Sequence, residues 1–199
     1  MIRVAILQIV LLALSFNSSA QLIAEFLNNK PVEKADLAAA DIDKEYIILI
    51  NRGNAMLENG NYADAANFFG LAISLQPEEA VAYDKRAIAY MQQKKFHKAA
   101  KDLISAIETD SLFADAYLHL GIIHDHYESY DLAIVSYTRA IEIDKQFAKA
   151  YYNRSLTFLK INDVTSAFND LKTASKLHHE IAENIIWEHC TDVLLVVNE

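Results

Sequence analysis

Residues 127–144 read YESYDLAIVSYTRAIEID, and the spacing of their small and aromatic residues decides the fold. If the stretch is one helix, four of its apolar residues share a single face, because they are spaced by four, three and one. These residues are Ala133, Tyr137, Ala140 and Ile141. An apolar helix face needs a neighbour that buries it. The stretch therefore predicts a helix that packs against at least one other element.

The same pattern recurs at a fixed interval along the chain. Small residues align in three rows: Gly53, Ala87, Gly121 and Ser155; Ala65, Ala99, Ala133 and Ala167; Ala72, Ala106, Ala140 and Ala174. Large residues align in three more: Leu49, Tyr83, Tyr117 and Tyr151; Tyr62, Phe96, Tyr130 and Val164; Phe69, Leu103, Tyr137 and Leu171. Small residues let two antiparallel helices approach closely, and large residues fill the gaps between successive hairpins. The chain is therefore predicted to be an array of helical hairpins.

On these residues and their interval, the chain resembles the tetratricopeptide repeat (TPR) family, whose unit is a 34-residue helix-turn-helix. The third unit matches best, through Tyr117, Leu120, Gly121, Tyr130, Ala133, Tyr137, Ala140 and Ile141. The resemblance implies an all-α fold, a right-handed α-solenoid of about four repeats. We place these repeats at residues 46–79, 80–113, 114–147 and 148–181. The family's proline near the end of each unit is present only as Pro77, and Ser111, Lys145 and His179 replace it in the other units.

The first twenty residues are typical of a secretory signal peptide. Arg3 precedes an apolar run over residues 4–16, and Ser18, Ser19 and Ala20 suit a small-residue cleavage site. The run is shorter than the roughly 20 residues that a membrane-spanning helix needs, so an uncleaved anchor is the less favoured alternative. We expect a secreted or periplasmic protein without an integral membrane span after cleavage.

The segments that flank the repeats show weaker patterns. Residues 21–45 are expected to form a lead or cap helix, and residues 182–199 a C-terminal capping helix. The run at residues 193–197 is apolar on all sides, so it should contact the fourth repeat, a second subunit or another partner. An alternative function is therefore a structural self-assembly subunit that forms a homo-oligomer through this C-terminal helix. Cys190 is the only cysteine, so no disulfide can form within one chain.

Composition and motifs argue against nucleic-acid binding and against catalysis. The 199-residue chain has a formal net charge of −9, which disfavours phosphate backbones as partners. The one basic cluster, at residues 94–101, is interpreted as a solvated face. The sequence contains neither a phosphate-binding GxxxxGK loop nor a GxSxG nucleophile turn. We expect a protein that is not an enzyme and has no cofactor.

The resemblance implies that the first helix of each repeat lines a concave groove that binds a peptide or helix. The groove positions are Ile47, Ile50, Asn54 and Leu57; Val81, Asp84, Ile88 and Met91; Asp115, Leu118, Ile122 and Asp125; Lys149, Tyr152, Leu156 and Leu159. Most of them are apolar, which suits the apolar face of an amphipathic helix or an extended hydrophobic peptide. The expected function is a protein-interaction scaffold or adaptor whose protein or peptide partner the sequence does not identify. The alternative is that the protein's own N-terminal segment, or the next turn of the solenoid, fills the groove.

Some family members bind the C-terminal carboxylate of chaperone tails with a clamp of two Lys, two Asn and one Arg. In this sequence only Asn54 matches if the first three repeats are used, and only Lys149 if the last three are used. The groove positions include Asp84 and Asp115, which oppose an anionic ligand. The clamp is therefore not expected here.

The histidines of the third repeat allow a rival hypothesis. Asp115 and His119 are one helical turn apart, a spacing that can hold a metal ion. A metal-binding protein centred on His119 and Asp115 is the less favoured alternative, because surface or packing roles are more common for such histidines.

Overall fold

The computed structural model describes residues 39–182, which fold into helices joined by short turns, without a strand in that range. The chain divides after Pro77 into two compact units. The predicted signal peptide, the lead segment up to residue 38, and residues 183–199 with Cys190 and the apolar run lie outside the described residues.

The described residues of each unit form antiparallel helical hairpins. The first unit contains hairpin 1, with α1 (Ala39–Glu58) and α2 (Tyr62–Leu75). The second unit contains hairpin 2, with α3 (Ala80–Gln92) and α4 (Phe96–Thr109); hairpin 3, with α5 (Ala114–His126) and α6 (Tyr130–Ile143); and hairpin 4, with α7 (Ala148–Lys160) and α8 (Val164–Lys176). Residues 180–182 are again helical. The predicted all-α fold of consecutive helix-turn-helix units is confirmed.

Helix α1 is longer than the other helices because it starts before the first repeat. It runs without a break from Ala39 across the boundary that the sequence suggested at residue 45. The intervening stretch, AADIDKE, contains neither glycine nor proline, so nothing in it interrupts a helix. Residues 39–45 are thus continuous with the first repeat helix.

The aligned small residues form the contact between the two helices of each hairpin. The alanines of the second and third small rows are fully buried in all four hairpins. In hairpin 3, Ala133, Tyr137 and Ala140 belong to one buried cluster, as the helix face of residues 127–144 predicts. The two backbones approach closely at these positions, so only small side chains fit there. A larger side chain would separate the helices.

The turn inside every hairpin has the same geometry. Gly60, Lys94, Glu128 and Asn162, which occupy the same position in successive repeats, all have φ between 57° and 74°. In each turn the following N–H donates to the carbonyl five residues earlier, as from Ser129 to His124, so each first helix ends in a Schellman motif. Glycine and asparagine, which stand here at Gly60 and Asn162, are residue types that favour positive φ. Lys94 and Glu128 occupy the same left-handed position although neither is glycine.

Within the second unit, successive hairpins pack in a regular order. The second helix of each hairpin contacts the first helix of the next, in the pairs α4–α5 and α6–α7. The first helices also contact one another, in the pairs α3–α5 and α5–α7. None of the helices in residues 39–182 has both the length and the apolar character that crossing a bilayer demands.

Candidate partner-binding face

The candidate site is the surface of the three first helices in the second unit, α3, α5 and α7. These helices lie side by side, so equivalent positions of successive repeats form rows across them. Three half-buried apolar residues, Ile88, Ile122 and Leu156, form the central row. Another row places Met91, half-buried, and Leu159, 45% exposed, near the C-terminal ends of α3 and α7. An apolar strip thus crosses all three helices.

Three polar contacts join the helices beside this strip. His119 Nδ1 of α5 lies 2.6 Å from Asp84 Oδ1 of α3. At the other end of α5, Asp125 accepts hydrogen bonds from Lys160 Nζ at 2.7 Å and from Thr157 Oγ1 at 3.1 Å, both on α7. These contacts engage both carboxylates within the unit, so neither is free to bind a partner's charge.

The structure buries two of the residues predicted to line the groove. Leu118 is only 3% exposed and belongs to the buried cluster of Tyr137, Ala140 and Ala150. The expectation that Leu118 offers an open groove surface is therefore wrong: Ala150 of the next hairpin packs into the same cluster. Asp84 is also buried, where it contacts His119.

The other predicted groove residues keep some exposure. In the second unit, Asp115, Lys149 and Leu159 are exposed, while Val81, Ile88, Met91, Ile122, Asp125, Tyr152 and Leu156 are half-buried. On α1 of the first unit, Ile47 is exposed and Ile50, Asn54 and Leu57 are half-buried. We use the name binding face for Val81, Ile88, Met91, Asp115, Ile122, Lys149, Leu156 and Leu159. The predicted partner-binding role of these residues stays a prediction.

The metal hypothesis gains no support from the geometry around His119. Its Nδ1 faces Asp84 of the neighbouring helix, and Asp115 is exposed. Across residues 39–182, no three His, Cys, Asp or Glu side chains are grouped closely enough to hold a metal ion.

His124 is partly buried, and this burial lowers the pKa of its imidazole.

Two ion pairs with half-buried arginines and buried carboxylates were not predicted from the sequence. Arg86 Nε and Nη2 donate to Asp102 at 2.7 and 2.8 Å, and Arg154 donates to Asp170 in the same bidentate manner at 2.7 and 2.9 Å. Burial opposes the charge of Arg86, but the hydrogen bonds and charge of Asp102 outweigh it and raise the pKa of the guanidinium. The two pairs occupy identical positions in hairpins 2 and 4, so aligning charged residues as well as small ones would have revealed them.

Comparisons with known proteins agree with this architecture. The tetratricopeptide repeat family model matches residues 85–146. The chain is 33% identical over 94 residues to the TPR repeat-containing thioredoxin TTL4 of Arabidopsis thaliana, covering 47% of this chain and 14% of that protein. It is 29% identical over 115 residues to the Hsp70-Hsp90 organizing protein 2 of Arabidopsis thaliana, covering 54% of this chain and 20% of that protein. The chain thus spans a fifth or less of these relatives.

A solved structure gives a longer match. The crystal structure of MamA superposes with a TM-score of 0.60 at 25% identity, covering 69% of this chain and 81% of MamA. The matches to the family model, the relatives and the solved structure together support the identification of the helical hairpins as tetratricopeptide repeats.

Proposed function

We propose that the protein is a non-enzymatic interaction module that holds a partner polypeptide on the binding face of α3, α5 and α7. The observation that carries this proposal is the apolar strip across the three helices, with Ile88, Ile122 and Leu156 in its central row. Partly exposed apolar residues at equivalent positions on adjacent helices suit a partner that also repeats its apolar residues, such as an amphipathic helix.

The charges of the face further restrict the partner. The cross-helix contacts use Asp84 and Asp125 internally, and the exposed charges left on the face are Asp115 and Lys149. One negative and one positive side chain give no net attraction for a highly charged ligand. The apolar contacts should therefore supply most of the affinity, and the two charges should influence the orientation of the partner.

One relative is named as an organizing protein of two chaperones, which supports a role in bringing proteins together. The dense positive charge of a carboxylate clamp is not part of this proposal, because Asn54 and Lys149 are its only matching residues. The secreted or periplasmic setting rests on the signal-like pattern of residues 1–20.

Affinity capture from the native secretory or periplasmic fraction tests the proposal. The wild-type protein, used as bait, is compared with an Ile88→Glu, Leu159→Glu variant and with a matched Ile104→Glu, Val135→Glu control. Ile104 and Val135 are 49% and 64% exposed on the second helices α4 and α6, so the control adds the same charge away from the binding face. A protein captured by wild type and control but lost with the first variant supports the site. Equal capture by all three would place binding elsewhere.

A further inference from the structure

His179 joins hairpin 4 to the helical residues 180–182 that follow it. Its Nδ1 accepts a hydrogen bond from the backbone N–H of Ala182, with 3.3 Å between the nitrogens. A side chain that accepts from the N–H three residues later acts as an N-cap, here for the helical residues 180–182. The imidazole also stacks on the Tyr152 ring of α7, with centroids 4.3 Å apart.

The residue capped in this way is part of the hydrophobic core. Ala182 is completely buried in a cluster with Leu171 and Ala174 of α8. It also stands one full repeat after Ala148, the first residue of α7, and so continues the repeat. The hydrogen bond from Ala182 to His179 therefore holds the helical residues 180–182 in register on hairpin 4.

The cap depends on the protonation state of the imidazole. A neutral imidazole has one acceptor nitrogen, whereas a protonated imidazole has none, so protonation removes the acceptor that Ala182 needs. Burial, and then the positive charge of Lys149, lower the pKa of His179. Lys149 and Tyr152 of α7 face the His179 ring through charge and stacking, and Lys176, His178 and Glu180 are the charged or titratable residues next to it in sequence.

We infer that His179 is a pH-sensitive latch that holds residues 180–182 on hairpin 4 when the imidazole is neutral and releases them when the imidazole is protonated. The attached state needs the neutral form, so release increases as the pH falls below the ordinary histidine range, about 6.5. Since Tyr152 is one of the predicted groove residues, release also uncovers its ring; that consequence alone rests on the proposed function.

Amide hydrogen exchange of the full chain, measured by NMR, tests the latch. The protection factor of the Ala182 amide, which is corrected for the intrinsic effect of pH, is compared at about pH 7.5 and about pH 5. We expect it to fall about tenfold or more at the lower pH, while the Ala174 amide in the same cluster stays protected. Unchanged Ala182 protection in the wild type would overturn the inference.

Three variants assign the effect to the cap. His179→Asn should keep Ala182 protected at both pH values, because asparagine is an N-cap that does not titrate. His179→Ala should leave it weakly protected at both. His97→Asn, at an exposed position on α4, should behave as the wild type does. The inference fails if His179→Asn loses protection as the wild type does, if His179→Ala keeps it, or if His97→Asn abolishes the change.

Discussion

Gly121 and Tyr137 pack so closely that the aromatic ring occupies the space in which a side chain on residue 121 would lie. A β-carbon at Gly121 would be 2.6 Å from Tyr137 Cδ1. Gly53 and Phe69 have the same relationship in hairpin 1, where a β-carbon would be 2.7 Å from Phe69 Cζ. The two pairs occupy the same positions of their repeats. In hairpins 1 and 3, the glycine of the first helix therefore makes room for the aromatic ring of the second helix.

Gly121→Ala should destabilise the protein. The overlap with a fully buried ring should cost more than the roughly 1 kcal/mol that alanine gains in helix propensity, giving a net loss of about 1–2 kcal/mol. Urea denaturation would measure the free energy of unfolding. Tyr137→Leu in the same chain should reduce the penalty of Gly121→Ala, since the ring is then absent. An alanine variant as stable as the wild type would refute the packing account.

Arg154→Met should be far more damaging than Arg139→Met. Arg154 binds Asp170 through two hydrogen bonds and also donates to Thr138 Oγ1 at 2.8 Å, so it connects hairpins 3 and 4. Its loss leaves the nearly buried carboxylate of Asp170 without that partner, which should cost about 2–4 kcal/mol. Arg139 pairs with Glu142 at the surface, where the loss should be small. Thermal denaturation of both variants measures the difference, and equal losses would contradict it.

Glu128→Gly should stabilise the protein. Glu128 has φ of 57° in the turn of hairpin 3, where Gly60 stands in hairpin 1. Glycine removes the steric cost of the left-handed conformation, which is about 1 kcal/mol for other residues and exceeds its entropic penalty. Asn162→Gly is the matched control and should gain less, since asparagine tolerates this conformation. Denaturation midpoints report both changes, and a destabilised Glu128→Gly protein would count against this reading.

The stability should fall as the pH is lowered from about 7.5 to about 5, in part through His124. Because burial lowers the pKa of His124 in the folded protein, the unfolded chain binds its proton more readily. The free energy of unfolding therefore decreases as the pH falls through the ordinary histidine range near 6.5. His124→Gln should weaken this pH dependence in urea titrations at both pH values. A His124→Gln protein with an unchanged pH dependence would show that His124 contributes nothing to it.

The sequence predicts the hairpins because backbone contact between two helices admits few residue types. The row of Ala65, Ala99, Ala133 and Ala167, all fully buried, indicates that contact directly. The burial of Leu118 was not predictable in the same way, since it depends on how closely the next hairpin covers α5. The contact between His119 and Asp84 joins different repeats, and it follows from the packing of neighbouring helices rather than from a repeated motif.

The left-handed conformation of the turn residues could be predicted from the sequence at some turns but not at others. Gly60 and Asn162 indicate their backbone conformation, because both residue types favour positive φ. Lys94 and Glu128 give no such signal by themselves. Aligning them with Gly60 at the repeat period would have predicted their conformation, since equivalent turns impose the same geometry.

The most direct test of the account measures where a peptide binds. Helical peptides selected from a displayed library against the full chain would be titrated into the wild type, the Ile88→Glu, Leu159→Glu variant and the Ile104→Glu, Val135→Glu control, each with intact helicity. We predict that the first variant weakens binding at least about tenfold, equivalent to about 1.4 kcal/mol, and that the control binds as the wild type does. Undiminished affinity in the first variant, or an equal loss in the control, would contradict a binding site on α3, α5 and α7.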